Sequence, residues 1–274
     1  MKKDNLIIKL INFLAMKNSI KTIGFVIALF FISINIQAQE RQFYQIKIYS
    51  MDNDQQVQTT DQYLSTAYLP ALKRMKIGPI GVFKPRPTDT TNLKQIYVLI
   101  PFSTLEQFET METKLSTDNT LMMSGKPYID ASYNDAPYHR VESILLKAFK
   151  GMPILKTPDL DTPRKDRIYE LRSYESATEA YNRNKVDMFN MGGEIQLFDR
   201  LKFNATFYGE VLSGPKMPNL MYMTAFTDQK SRDTHWDAFF SSPEWSKLKV
   251  DPKYKNNVSH ADITFLYPTE YSDY

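Results

Sequence analysis

A chain of 274 residues is too long for one small domain and about right for two. Its composition, 42% apolar and 24% charged with 17 Tyr and 17 Phe, is that of a globular protein with a ring-rich core. A net charge of +3 without any Arg/Lys run argues against a nucleic-acid binder, and the absence of cysteine excludes thiol catalysis, disulfides and cysteine-based metal sites.

The chain opens on an export pattern. Lys17 and Lys21 precede a mostly apolar run over 22–36, and Ala38 offers a small residue before Gln39. Met16 already begins a complete leader of this kind. The apolar core is short of the roughly 20 residues a membrane span needs, and no cysteine follows it for lipidation. The expectation is a signal peptide over 1–39, a mature chain from Gln39 or Glu40, no stable membrane span after cleavage, and a periplasmic or secreted location.

Two stretches then echo each other. Residues 43–49 read FYQIKIY and residues 168–174 read IYELRSY. In register, Tyr44 meets Tyr169, Lys47 meets Arg172 and Tyr49 meets Tyr174. Alternation marks each as a strand. A polar helical run follows at 54–76, with Tyr63, Leu64, Ala67, Tyr68, Ala71, Leu72 and Met75 as a buried stripe and Pro70 as a kink. Short strands are expected near 80–84 and 95–101. A helix capped by Ser103 and Glu106 comes next, then a helical tail at 125–131 and a last strand near 139–149.

The linker at 151–167 carries three prolines and several charges, and reads as an exposed connector. The second copy repeats the order. Its helical run is 176–200, with Ser176 and Glu179 as capping box and a break at Gly192 and Gly193. Strands follow near 203–211 and 219–226, then a helix from Asp228 to Phe240. A tail at 242–248 is capped by Ser242 with Pro243 at its first position, and a strand near 257–266 closes the copy.

Each copy therefore reads β-α-β-β-α-β, the ferredoxin-like unit. The fold class is α+β, with domains at 40–150 and 168–274. Each unit covers one sheet face with helices, and the other face must also be buried. Two copies can bury those faces against each other as a barrel with helices outside.

Candidate chemistry sits on the second copy. Glu170, Arg172 and Tyr174 share one face of their strand. With Leu171 assigned to the helix side, these three line the barrel interior or rim, or Glu170 and Arg172 simply pair with each other. Arg172 suits a carboxylate or phosphate, because its planar fork holds both oxygens. The first copy offers Gln45, Lys47 and Tyr49 instead, so the cavity is asymmetric. Asn219 and Tyr222 stand nearby as further ligand contacts. His260, with Asp262 two residues on, reads as a base with its orienter or as an ordinary strand pair. Glu170 is the alternative base and Tyr222 its proton partner. No metal site, phosphate loop or Rossmann fingerprint is readable, and no cofactor is named by the sequence.

The segments IYELRSYESATE (168–179), MFNMGGEIQLFDRL (188–201), YGEVLSGPKMPNLMYMTAF (208–226) and HWDAFFSSPEW (235–245) together resemble the NIPSNAP family, above all its exported, two-copy bacterial members. DQYLSTAYLPALKRMKIGPIGVFKP (61–85) extends the likeness to the first copy, which lacks the Glu–Arg pair. The resemblance implies a dimeric α/β barrel, here folded from one chain as a pseudo-dimer. That architecture hosts haem enzymes, small monooxygenases and plain binding proteins, while mitochondrial members of the family are linked to protein interaction. Three expectations follow. One is a binding protein for a small polar or anionic ligand. The second is an oxygenase- or isomerase-like enzyme, cofactor-independent or haem-dependent. The third is a protein-interaction module. A small-molecule ligand and a homo-oligomer are the compatible partners.

Overall fold

Strand β1 (Phe43–Ser50) follows the alternation of its sequence: Tyr44, Ile46 and Ile48 turn to one side, Gln45, Lys47 and Tyr49 to the other. In the computed structural model the described residues are 40–87 and 94–274, and the expected leader over 1–39 lies outside them. After β1 come helix α1 (Asp54–Tyr63), a π-helical turn (Leu64–Tyr68) and α2 (Leu69–Arg74), which deliver the predicted stripe of Leu64, Ala67, Tyr68, Ala71 and Leu72 to the core. Pro70 has no N–H to continue the helical ladder. One position before it, the Leu69 N–H reaches back to the Leu64 carbonyl, a slip of register rather than a kink. The first half is completed by β2 (Gly81–Pro85), β3 (Gln95–Phe102), α3 (Leu105–Ser116), α4 (Asn119–Ser124), α5 (Lys126–Ile129) and β4 (Arg140–Ala148).

The second half runs through β5 (Ile168–Glu175), α6 (Glu179–Asn190), α7 (Glu194–Arg200), β6 (Ala205–Ser213), β7 (Asn219–Phe226), α8 (Gln229–Ser241), α9 (Pro243–Leu248), a short 3-10 turn (Pro252–Tyr254) and β8 (His260–Pro268). Ser242 caps α9 as expected, accepting from the Trp245 N–H. Two other caps shift: Thr104 and Thr178, not Ser103 and Ser176, accept from the first turns of α3 and α6. Ser176 instead donates to the Asn257 carbonyl at 2.8 Å.

All eight strands close into one antiparallel barrel, ordered β1-β3-β2-β8-β5-β7-β6-β4. Each half contributes the same four-strand order. Two seams join them: β2 meets β8 at Phe83–Pro85, and β4 meets β6 at Leu145–Ala148, where the register shifts between Leu145 and Leu146. Helices cover the outside, and β7 is buried along its whole length, whereas β4 and β8 are exposed towards their first residues. The core thus has three layers. The lumen holds Tyr44, Phe83, Tyr169, Leu171, Phe207 and Leu266, and a helix-covered cluster lies behind each half. Each fully buried ring or aliphatic side chain contributes roughly 1.5–3 kcal/mol.

Two expectations are corrected by this packing. The linker is not simply an exposed connector. Leu155 and Leu160 join the lumen cluster beside Tyr274. Arg164 donates to the carbonyls of Thr269, Ser272 and Tyr274, and Arg167 to those of Leu160 and Thr162. Linker and C-terminal tail together seal the barrel at the start of β1 and β5. At the opposite end a cavity of about 300 Å³ opens, lined by Tyr97, Ser173, Lys216, Asn219 and Asp262. The second correction concerns β5. Tyr169 and Leu171 face the lumen, while Glu170, Arg172 and Tyr174 face the helices. No helix among the described residues is long and apolar enough to cross a membrane.

Candidate functional site

The reversed face of β5 builds a cleft between the second sheet and helices α6, α8 and α9. At its root Glu170 is wholly buried. A lone carboxylate there would cost several kcal/mol, and three donors meet it. Arg172 Nε donates at 2.6 Å, Arg232 Nε at 2.7 Å and Trp236 Nε1 at 2.9 Å. Arg232 and Trp236 sit four residues apart on α8, one helical turn. Glu170 is therefore an anchor with both oxygens committed, which does not suit the role of proton acceptor.

Arg172 is the centre of the arrangement. It is 8% exposed, and its guanidinium stacks 3.8 Å from the centre of the Trp236 ring. Its Nη2 lies 2.5 Å from Glu170, and its Nη1 donates to the Tyr174 hydroxyl at 2.9 Å. Tyr174 and Tyr222 share a hydroxyl contact of 2.9 Å. Burial alone would lower the Arg172 pKa, but the Glu170 carboxylate and the hydrogen bond to the Tyr174 hydroxyl raise it and keep the cation. Burial pushes Tyr222 well above the ordinary phenol value, so its ring is neutral at physiological pH.

Across the cleft a second buried pair, Lys185 to Glu194 at 2.7 Å, joins α6 to the start of α7. The Gly192–Gly193 break permits this turn, since Gly193 has φ +92°. Phe239, Phe240, Trp245 and Tyr254 form the apolar wall, and the cleft encloses about 360 Å³. Arg172, Lys185 and Lys249 line it against a single carboxylate, Glu194. With Glu170 already satisfied by Arg232, the cleft favours an anion.

The predicted residues divide. Glu170, Arg172, Tyr174 and Tyr222 come together here. Asn219 faces the lumen and donates to Ser173 Oγ at 2.8 Å. His260 stands at the open barrel mouth, exposed, 3.1 Å from Asp262 Oδ1. It shares no site with Glu170 and Tyr222, because β8 turns residues 260 and 262 to the lumen side. Sequence reasoning missed Lys185, Glu194, Trp236 and Arg232. The clustered rings of 236–245 were the one available signal.

Among the described residues the first half shows no matching cleft. Lys47 occupies the Arg172 position, but it contacts the Tyr68 hydroxyl at 3.3 Å and Glu112 at 3.2 Å, while Tyr63 and Tyr128 stack at 3.8 Å nearby. Tyrosine rings fill much of the space that stays open in the second half.

Comparison with known proteins bears on the fold and the family. No curated protein sequence matches the chain. A protein of Fusobacterium nucleatum, provisionally named a monooxygenase, superposes with a TM-score of 0.53 at 6% identity, over 84% of this chain and 93% of its own. A similarly named protein of Lactobacillus acidophilus gives 0.52 at 10% identity, over 84% and 94%. A NIPSNAP-like domain protein of Burkholderia xenovorans gives 0.36 at 17% identity, over 40% and 90%. The first two share the single-chain barrel. Residues 169–273, which carry the Glu170–Arg172 cleft, match the NIPSNAP family model, and the second half of this chain is a NIPSNAP domain.

Proposed function

We propose that the cleft of the second half binds a small organic anion with an aromatic or apolar body. One observation carries this reading: Arg172 is buried, held flat on Trp236, and faces a cleft whose nearest carboxylate is already neutralised by a second arginine. Of the five N–H donors of a guanidinium, Glu170 and Tyr174 take three. Nη1 and Nη2 each keep one further N–H for a carboxylate or similar group. Phe239, Phe240, Trp245 and Tyr254 receive the body, and the volume falls within the usual range for small-molecule sites.

The only two tryptophans of the chain, Trp236 and Trp245, both line the cleft. Intrinsic fluorescence therefore reports on it directly. Titration with simple aromatic carboxylates such as benzoate and 4-hydroxybenzoate, guided by native mass spectrometry of the purified protein for a co-purified mass, is expected to give a saturable change. Arg172→Ala should weaken it by about 10- to 100-fold, the loss of one charge-assisted contact. No saturable change with any carboxylate, together with no co-purified mass, rejects the reading.

A second reading rests on the Tyr222–Tyr174–Arg172 contacts, a short hydroxyl relay in the cleft wall of a barrel shared with two proteins provisionally named monooxygenases. Turnover there would show as oxygen uptake with the bound anion and would fall in Tyr222→Phe. The cleft does not fit haem. No histidine lines it, the sulfur of Met188 lies within hydrogen-bonding reach of Lys185 and Asn257, and the Tyr174 and Tyr222 hydroxyls are committed to each other.

A further inference from the structure

At the open end of the barrel, on the lumen side and away from the cleft, two carboxylates and a histidine gather. Glu175 pairs across strands with Asn219 on β7 and with His260 on β8, and Asp262 pairs with Ser173 one row further in. Two-residue periodicity puts all five on one face. Glu175, His260 and Asp262 each offer a ligand atom within 4.8 Å of the others. His260 Nε2 lies 3.1 Å from Asp262 Oδ1. Among the described residues the Glu175 carboxylate has no ion-pair partner.

Two independent observations distinguish this from a solvated acidic rim. Asn219 is only 3% exposed, and its amide nitrogen is spent on Ser173, yet its Oδ1 is buried without a partner. A buried carbonyl oxygen without a donor is costly, and it is a ligand type that cations accept. The second observation is Lys216, in the turn between β6 and β7. Its ammonium donates to Asp262 Oδ2 at 2.5 Å, and Glu142 lines the same cavity. Asp262 and Glu142 line one cavity with Lys216, and Glu175 lies beside Asp262, so these carboxylates outnumber the one ammonium.

We propose that the open end of the barrel is a site for a divalent first-row transition ion of the Zn2+ type, bound by Glu175, His260 and Asp262, with the Asn219 amide oxygen completing the shell. The imidazole selects such an ion over Mg2+ or Ca2+, which prefer all-oxygen sites. Lys216 acts as an internal competitor that swings away when the dication enters.

The test is calorimetric titration of the chelator-treated full chain with Zn2+. One ion per chain is expected, with His260→Ala and Glu175→Gln weakening binding by about 10- to 100-fold. Lys216→Ala should tighten it, an outcome that misfolding cannot produce. His139→Ala is the control: His139 contacts a single carboxylate, Asp52, at 3.3 Å in the first half, and its loss should change nothing. Absence of a stoichiometric site, equal losses in His260→Ala and His139→Ala, or no gain in Lys216→Ala each overturns the proposal.

Discussion

Glu170 shows how one side chain can be structural while its neighbour is available for a ligand. It balances two arginines and a tryptophan N–H from a buried position. Removing its charge strands Arg172, which is nearly as buried, so Glu170→Gln is expected to cost about 3 kcal/mol in urea unfolding. Arg232→Ala should cost less, because Arg232 is partly solvated and Arg172 and Trp236 still hold the carboxylate. If Glu170→Gln were as stable as the parent, the pair would not be the anchor described. The sequence made the Glu170–Arg172 pair legible, but not its direction. Leu171 looked like the helix-facing residue, as it would on a half-exposed sheet. In this barrel Ile168–Ser173 of β5 are buried on both faces, and apolarity no longer discriminates. The decision came from Arg232 and Trp236, some sixty residues later, and no local pattern in β5 announces them.

At the scale of elements, order was readable and contact was not. Alternating strands, apolar stripes and the Ser242–Pro243 helix start gave the β-α-β-β-α-β series, since each signal lies within a single element. The linker misled because Leu155 and Leu160 are isolated among prolines and charges; only the barrel end they plug gives them a place. A comparable long-range tie fixes one wall of the cleft. Asp187 on α6 accepts from Lys253 at 2.5 Å and from the Tyr254 hydroxyl at 3.0 Å, holding the 3-10 turn that carries Tyr254. The Lys253 hydrogen bond keeps the Asp187 carboxyl below its ordinary value of 3.8 against the opposing effect of burial, with a lesser contribution from Tyr254. A depressed carboxyl stabilises the fold fully above its unfolded pKa, and the contribution is lost as pH falls through the lowered folded value. The tether is thus intact at neutral pH and released only below about pH 4. Asp187→Asn should mimic that release at neutral pH: faster amide exchange over 249–257, with β5 and β7 unchanged. Unchanged exchange in that segment would show that packing of Tyr254 suffices.

The whole molecule depends on two short seams between halves that each leave an apolar sheet face bare. Three residue pairs join β2 to β8, and four join β4 to β6. Seams so short cannot supply much of the stability; the lumen between them does, because Tyr44, Ile46 and Phe83 from one half pack with Tyr169, Leu171 and Leu266 from the other. Gly209 on β6 marks how close the second seam runs: it pairs with Ala148 in β4, and a Cβ there would lie 3.1 Å from that of Leu146. A fragment spanning 151–274 would keep its helices and its cleft but expose Tyr169, Phe207, Met221, Met223 and Leu266 to water. Its edges β6 and β8 would also lack their partners, the condition under which strands recruit another chain. The same four-strand order recurs in both halves, so a second copy of the fragment can take the place of the first half about a true two-fold axis. Light scattering after gel filtration is expected to give twice the fragment mass, and co-expression with 40–150 should replace that homodimer by the one-to-one pair. The cleft lies on the outer, helix-covered face and does not draw on the first half, so fluorescence titration of the dimer should reproduce the Arg172-dependent binding of the full chain. A stable, folded fragment monomer would show instead that the lumen is not what holds the halves together, and binding lost in a folded dimer would place part of the ligand contact in the first half.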